Sequence, residues 1–165
     1  MNVQSKKRDL VVTHILGAPV EQVWQAWSDP DLVMRWWGPH GFVAPLAKMD
    51  FRVGGTSLVC MNSPQFGFGD QYSTWHYEEI VPMQRIVFIQ NLTDKDGNKV
   101  DPAQMGLPPD FPQDMRSTVT FKPMDDQTTE ITVVEHGWQE GQMMEMSEMG
   151  MKQCLEKMAA IFVRE

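Results

Sequence analysis

The sequence predicts an α+β protein in which a curved antiparallel sheet of about six to seven strands wraps around a long C-terminal helix. Two short helix signals follow the first strand, and about six further strand segments come after them. The chain then ends in one long segment, 141–163, whose apolar residues recur at helical spacing. This helix has one apolar stripe and the sheet has one face to bury, so packing them together satisfies both.

The first strand and the two short helices are predicted from β-branched and turn-forming residues. Residues 9–16 are rich in β-branched side chains and predict a strand. Pro19 lies in the first turn of a helix, where its missing N–H costs nothing, and apolar residues follow at helical spacing over 20–27. The Asp-Pro pair at 29–30 predicts a second helix start, which the Gly-Pro pair at 38–39 ends.

From residue 42 onward the pattern changes to strands. Gly54-Gly55 predicts a two-residue hairpin between strands 42–53 and 56–62, because such a turn needs positive φ at both central residues. The segment 93–115 is rich in Pro and Gly and predicts a long loop, which is either a lid or an insertion. The remaining strands are predicted at 72–80, 85–91, 116–122 and 128–136.

The terminal helix is amphipathic and roughly 35 Å long. Its apolar stripe consists of Met144, Met151, Leu155, Met158 and Phe162. The start of the helix is rich in methionine, a flexible side chain that suits an adaptable ligand surface. Met146 and Met149 point away from the stripe, which indicates either simple exposure or a contact with a partner or a second subunit.

Composition and charge limit the classes of partner and the compartment. A chain of 165 residues suits a single domain over 1–165, with a core of about 9–163. The net charge of −8 and the lack of a basic patch argue against nucleic acid. No apolar run reaches the roughly 20 residues of a membrane helix, and the N-terminus lacks a signal-peptide core, so we expect a cytoplasmic protein without membrane association. The two cysteines and four histidines lack ligand spacing, so we expect no metal and no cofactor.

Several motifs together resemble a known family. They are Ala18-Pro19 with Val23-Trp24, Asp29-Pro30, Trp36-Trp37-Gly38-Pro39, Asp50 to Gly55, and Trp138 before the last helix. In this order they resemble the START-like (SRPBCC, helix-grip) superfamily of the birch-pollen allergen and the polyketide cyclases. Within it, the chain is similar to the branch named after the activator of the ninety-kilodalton heat-shock chaperone ATPase. The resemblance implies a deep cavity between the sheet and the long helix.

We predict a ligand site at this interface between sheet and helix. The aromatic group of Trp36, Trp37 and Phe42 either walls a pocket mouth or seals one end of the core. Because two adjacent tryptophans on a short helix cannot both point inward, one of them is predicted to lie at a rim. The predicted lining consists of Trp36, Phe42, Met61, Trp75, Met144, Met151 and Leu155.

The sequence contains no catalytic motif, and three residues are candidates for chemistry. Strand alternation puts Tyr72 and His76 on one face, and they would form a proton-transfer pair if that face lines the cavity. The pattern does not say which face does, and the same ambiguity separates Glu135 from His136. Glu148 lies at the edge of the helical stripe, where it is either a desolvated acid or a side chain that reaches solvent.

Three functions follow from these observations. The leading one is the binding of a small hydrophobic or amphipathic ligand, because a cavity is implied and a catalytic set is not. The second is regulation of a chaperone ATPase by a partner protein, which the branch name and the outward methionines suggest. The third is cyclase or hydrolase chemistry by His76, Tyr72 or Glu148.

Overall fold

The structure is a computed structural model that describes residues 6–108 and 111–162. Seven strands and three α-helices make up the fold, together with two short 3₁₀ helices at Pro64–Phe66 and Pro102–Met105. In chain order the elements are β1 (Lys7–Leu16), α1 (Val20–Ser28), α2 (Pro30–Trp36), β2 (Val43–Lys48), β3 (Thr56–Ser63), β4 (Phe68–Val81), β5 (Arg85–Thr93), β6 (Met115–Asp125), β7 (Thr128–Gln139) and α3 (Gln142–Ile161).

The predicted α+β architecture is confirmed. All seven strands join one antiparallel sheet in the order β1-β7-β6-β5-β4-β3-β2. The helix α3 is about 30 Å long and packs on β1 and on α2. Its predicted end at residue 163 lies outside the described residues. None of the helices in the described ranges is both long enough and apolar enough to cross a membrane.

The two outer strands of the sheet, β1 and β2, are both irregular. In β2 the pairing with β3 shifts register between Val43 and Leu46, on either side of Pro45. Proline has no N–H for the ladder, so in sheets it occurs in edge strands and bulges. In β1 the pairing with β7 shifts between Arg8 and Leu10.

The prediction of a two-residue hairpin at Gly54-Gly55 is wrong. Strand β2 ends at Lys48, and only Gly54 has a positive φ, +83°. The glycines instead extend the pairing beside β4, because Gly54 N donates to Tyr77 O and Tyr77 N donates to Gly55 O. Gly55 is needed for a close approach, since a Cβ there would lie 2.4 Å from the backbone O of Asp50.

The helices α1 and α2 close one end of the sheet with a solid aromatic core. Asp29 caps α2 as predicted, and its carboxylate accepts from Asp31 N at 2.9 Å. Trp36 Nε1 donates to Ala26 O at 2.6 Å and so joins α2 to α1. The ring of Trp36 lies 6.2 Å from that of Trp75, nearly parallel to it. Any open space between the sheet and α3 must therefore lie toward the other end.

Candidate ligand-binding cavity

A cavity of about 250 Å³ lies between the first half of α3 and the sheet. Strands β3 to β7 form one wall, α3 forms the opposite wall, and the segment after α2 together with the 94–114 loop completes the lining. The lining is mostly apolar, which is typical of small-molecule sites.

The wall from α3 has a gap at Gly150. The nearest atom to a Cβ built at this position is Pro39 Cβ, 4.0 Å away. Met143 and Met151 border the cavity on the same helix. Just over one helical turn after Met151, Leu155 is fully buried in the core and does not reach the cavity. The space therefore exists where the helix presents glycine and flexible side chains.

Strand alternation places the polar residues of β4 on opposite faces. Ser73, Trp75 and Tyr77 are buried on the inner face, and Ser73 lines the cavity. His76 lies on the outer face, where its Nδ1 is 2.8 Å from Thr56 Oγ1. Tyr72 shares that outer face. The proposed proton-transfer pair of Tyr72 and His76 therefore lies away from the cavity.

The last strand, β7, supplies the acidic group of the lining. Ile131, Val133 and Glu135 face inward, and His136 faces outward within 3.0 Å of Thr118 Oγ1. A bulge follows, in which Gly137 has a φ of +81° and the pairing with β1 shifts register. The bulge reverses the alternation, so that Trp138 also faces inward, three residues after Glu135. Bulges commonly re-aim side chains beside functional sites.

Glu135 is the most perturbed acid that the cavity contains. The residue is 8% exposed, and its Oε1 accepts a hydrogen bond from Trp138 Nε1 at 3.2 Å. Burial raises the pKa of Glu135 from 4.5 to about 7, because a carboxylate loses its hydration there, and the indole N–H offsets part of this shift. Near neutral pH this carboxyl group can therefore be either protonated and neutral, or ionised and able to pair with a cation.

The 94–114 loop is fastened to β5 at its base. Gln113 Oε1 accepts from Leu92 N at 2.7 Å, while its Nε2 donates to Leu92 O and to Val100 O. Asp114 N donates to Asn91 Oδ1 at 2.7 Å. From this base the loop directs Leu107, Phe111 and Pro112 into the cavity lining. The predicted loop is thus part of the site wall.

The structure brings only some of the predicted lining residues together. Met61 and Met151 line the cavity. Phe42 packs beside Phe68, with ring centroids 5.5 Å apart, and lies outside the lining. The residues that instead belong to the buried core are Trp36, Trp75, Met144 and Leu155.

The expectation that Trp36 or Trp37 lies at a rim is wrong, since they are 0% and 7% exposed. Trp37 is the C-cap of α2, and its ring packs edge-on against Trp75, with centroids 5.2 Å apart, while it also borders the cavity. Glu148 is on the shoulder of α3, 4.0 Å from Lys152 Nζ, and lies outside the lining. Of the alternatives for Glu148, the structure therefore favours the side chain that reaches solvent.

The predicted lining lacks Glu135, Trp37, Trp138 and Gly150, although the sequence offers Trp37 as a wall of the pocket mouth and leaves Glu135 and His136 as alternatives for the inward-facing position. A signal for Glu135 was present, because it continues the alternation of the apolar residues Ile131 and Val133. The inward turn of Trp138 depends on the bulge, which the sequence pattern did not indicate. Among the described residues no cluster of three or more His, Cys, Asp or Glu side chains could hold a metal ion.

Comparison with known proteins identifies the family. The family model for Activator of Hsp90 ATPase homolog 1-like protein matches residues 17–163. A crystal structure from Chromobacterium violaceum is 25% identical with a TM-score of 0.76, and the match covers 96% of this chain and 99% of that one. A solution structure from Arthrobacter aurescens is also 25% identical, with a TM-score of 0.75 and coverage of 93% and 84%.

A third structure, the AHSA1 protein of Silicibacter pomeroyi, is 18% identical with a TM-score of 0.72 and coverage of 93% and 96%, and this likeness concerns the fold alone. No curated protein matches the chain. Because the family model spans most of the sequence, the chain belongs to the Activator of Hsp90 ATPase homolog 1-like family.

Proposed function

We propose that this family member binds a small apolar or amphipathic molecule in the cavity between α3 and the sheet. The observation that carries the proposal is the open volume of about 250 Å³ in the interior of a domain whose other end is packed with aromatic rings. An apolar cavity of about 150 Å³ is enough to bind benzene. The space beside Gly150 therefore suits a molecule somewhat larger than one aromatic ring.

The chemistry of the walls supports an apolar ligand with one polar end. Met61, Met115, Met143 and Met151 contribute flexible thioether side chains that adjust to the shape of a guest. Polar groups are few, and the buried carboxyl group of Glu135 lies among them. Such a combination of apolar walls with few polar groups fixes the orientation of a ligand in known sites.

Native mass spectrometry of the protein purified from its own host tests the proposal. We expect a small molecule that stays bound to the folded chain and is released on denaturation. The variant Gly150→Leu should lose it, because the added side chain occupies the gap in the α3 wall. The matched variant Gly150→Ala adds one methyl group with no close contact and should keep it.

Two results together would contradict the proposal. The protein would carry no molecule, and apolar probes of this size would leave its thermal unfolding midpoint unchanged. Ligands that bind the native state raise that midpoint, and the stabilisation grows with the logarithm of the ratio of ligand concentration to Kd. A probe that stabilises wild type and Gly150→Leu equally would show binding elsewhere on the surface.

A second candidate function is regulation of a chaperone ATPase. Met146 and Met149 on α3 are 59% and 62% exposed, and exposed apolar groups often mark protein contacts. The family description points to the same role. We expect the protein to stimulate the ATPase of an Hsp90-type chaperone, and Met149→Gln to reduce this effect. Absence of both stimulation and complex formation would exclude this function.

A further inference from the structure

We infer that the cavity selects ligands that carry a protonated amine, and that Glu135 receives this group. The inference rests on the proposed function, because it names the class of molecule that the proposed site would bind. Three features of the lining support it: the charges of its residues, the hydrogen bonds that Glu135 lacks, and the aromatic rings that share the cavity wall with Glu135.

The lining has one acidic group and lacks a basic one. Of the described residues around the cavity, Glu135 is the sole carboxylate, and neither Lys, Arg nor His lies among them. The other ionisable group is the Cys154 thiol, which burial keeps neutral by raising its pKa to about 12. Lys157 lies further along α3, and its Nζ donates to the backbone O atoms of Gly38 and Phe42 at 2.9 and 3.2 Å. A ligand carboxylate would therefore find no positive partner here and would meet Glu135.

Glu135 also has unused hydrogen-bonding capacity. Its carboxylate has about four acceptor positions, and Trp138 Nε1 fills one of them. Directly opposite Glu135 on β6 lies Ser117, whose buried Oγ has no hydrogen-bond partner within the described part of the chain. Buried polar groups are costly unless they are paired. A protonated primary amine offers three N–H donors and can satisfy the carboxylate that the protein leaves open.

Aromatic rings in the same lining favour a cation further. Trp37, Trp138 and Phe111 all contribute to the cavity wall. The face of an aromatic ring attracts a nearby cation, and the attraction grows when the cation is removed from water. An alcohol of the same shape would gain the hydrogen bond to Glu135 without this added attraction.

Three probes with one hydrocarbon skeleton test the inference: 4-phenylbutylamine, 4-phenylbutan-1-ol and 4-phenylbutyrate. Isothermal titration calorimetry with the full chain near pH 8 should rank them amine, alcohol, carboxylate. We expect the amine to bind at least about tenfold more tightly than the alcohol, as a charge-assisted hydrogen bond requires. In Glu135→Gln this preference should disappear, while the affinity for the alcohol stays within about threefold.

We expect Glu135→Gln to fold, because the Gln side-chain oxygen can still accept a hydrogen bond from Trp138 Nε1. The matched control is Glu145→Gln, which removes an exposed charge from α3, outside the cavity lining, and should keep the amine preference. A second readout needs no variant. The affinity of wild type for the amine should rise from about pH 6 to pH 8 as Glu135 ionises, and should be flat in Glu135→Gln.

Few other groups titrate near Glu135 in this range. Across the sheet it lies opposite Leu10 and Ser117, which do not ionise, and His136 faces the other side of β7. From α3 the neighbouring ionisable group is Cys154, which stays neutral. A pH profile that vanishes with Glu135→Gln therefore belongs to this carboxyl group.

The outcomes separate the inference from the proposed function. If the alcohol binds as tightly as the amine, or if Glu135→Gln keeps the amine preference, the inference is overturned and the cavity remains a ligand site. If wild type binds none of the three probes, the inference is overturned, and the proposed function is then decided by the native mass spectrometry and the apolar probes described above. Amine preference that depends on Glu135 but not on Glu145 supports the inference.

Discussion

The two halves of α3 meet the rest of the protein in different ways. In the second half, Leu155 and Met158 are fully buried against the core. In the first half, Gly150 and Met151 border open space, and Met149 faces solvent. One helix can therefore serve both as a structural support, through the half that packs into the core, and as a cavity wall, through the other half.

Polar contacts follow the same division. In the second half, Lys157 binds two backbone carbonyl groups of the 38–42 segment, and Gln153 Oε1 accepts from His40 N at 3.0 Å. His40 Nε2 also lies 2.9 Å from Glu156 Oε2. Lys152 and Glu148 form an ion pair across the middle of the helix, at 4.0 Å and partly exposed. The second half is therefore the anchored one.

Replacing Leu155 by Ala should have the largest effect. Because its side chain is fully packed, Leu155→Ala should lower the free energy of unfolding by about 3 kcal/mol. Met151→Ala, four residues earlier and beside the cavity, should cost only about 1 kcal/mol, because fewer contacts are lost there. Urea denaturation measures both values. Equal losses at the two positions would remove the distinction between the halves.

The second-largest expected effect is a change in the pH dependence of stability, which depends on Glu135, whose carboxyl group faces the first half of α3. Because burial raises the pKa of Glu135 from 4.5 to about 7, the native state binds more protons than the unfolded chain in this interval. Stability is therefore lost as the pH rises through it. Glu135→Gln avoids the loss, and should gain about 3 kcal/mol relative to wild type between pH 4 and pH 8.

Urea denaturation of both proteins near pH 4 and near pH 8 measures this relative gain. The comparison between variant and wild type cancels the titration of other groups that the two proteins share. Glu145→Gln should show little such change, since that side chain is exposed. A stability difference between Glu135→Gln and wild type that is constant with pH would contradict the prediction.

Lys157→Met should cost about 1–2 kcal/mol of unfolding free energy, because it leaves the carbonyl groups of Gly38 and Phe42 without their donor. Met keeps most of the aliphatic contact of the side chain. The control is Lys152→Met at the middle of the helix, where the exposed pair with Glu148 should contribute less than about 0.5 kcal/mol. Thermal or urea unfolding would refute the contrast if both variants lost the same amount.

The smallest expected effect is a gain in stability. Gly150→Ala should raise the free energy of unfolding by about 0.5–1 kcal/mol, because Ala favours the helix and the new Cβ has its nearest neighbour at 4.0 Å. Differential scanning calorimetry would detect the higher midpoint. A lower midpoint would mean that the space beside Gly150 does not accept a methyl group.

Much of the fold was predictable because it depends on local signals. The cap at Asp29, the strand alternations and the stripe of α3 each act over a few residues, and each appears in the structure. The hairpin at Gly54-Gly55 failed because Gly55 is explained by its close approach to the Asp50 backbone O, within the segment between β2 and β3, and not by a turn that needs positive φ. Paired glycines alone do not distinguish a turn from a close contact.

The site was less predictable because a cavity is space that side chains leave unfilled, and a sequence pattern indicates only where side chains are. Met144 and Met151 lie on the same predicted stripe, yet Met144 belongs to the core and Met151 borders open space. This difference depends on the curvature of the sheet and on Gly150 beside them. Trp138 enters the lining through a bulge, a backbone irregularity that side-chain periodicity does not report.

The irregular edges of the sheet affect how readily strands from other copies of the protein could add to it and form fibrils. An open sheet can recruit strands from other copies and extend into polymers wherever a long, regular margin offers unpaired N–H and C=O groups. Here Pro45 interrupts one margin, and a register shift beside Arg8 interrupts the other. The unbroken pairing is thereby shortened to residues 10–16 of β1 and 46–48 of β2, which limits the template that either side of the open sheet offers for fibril growth.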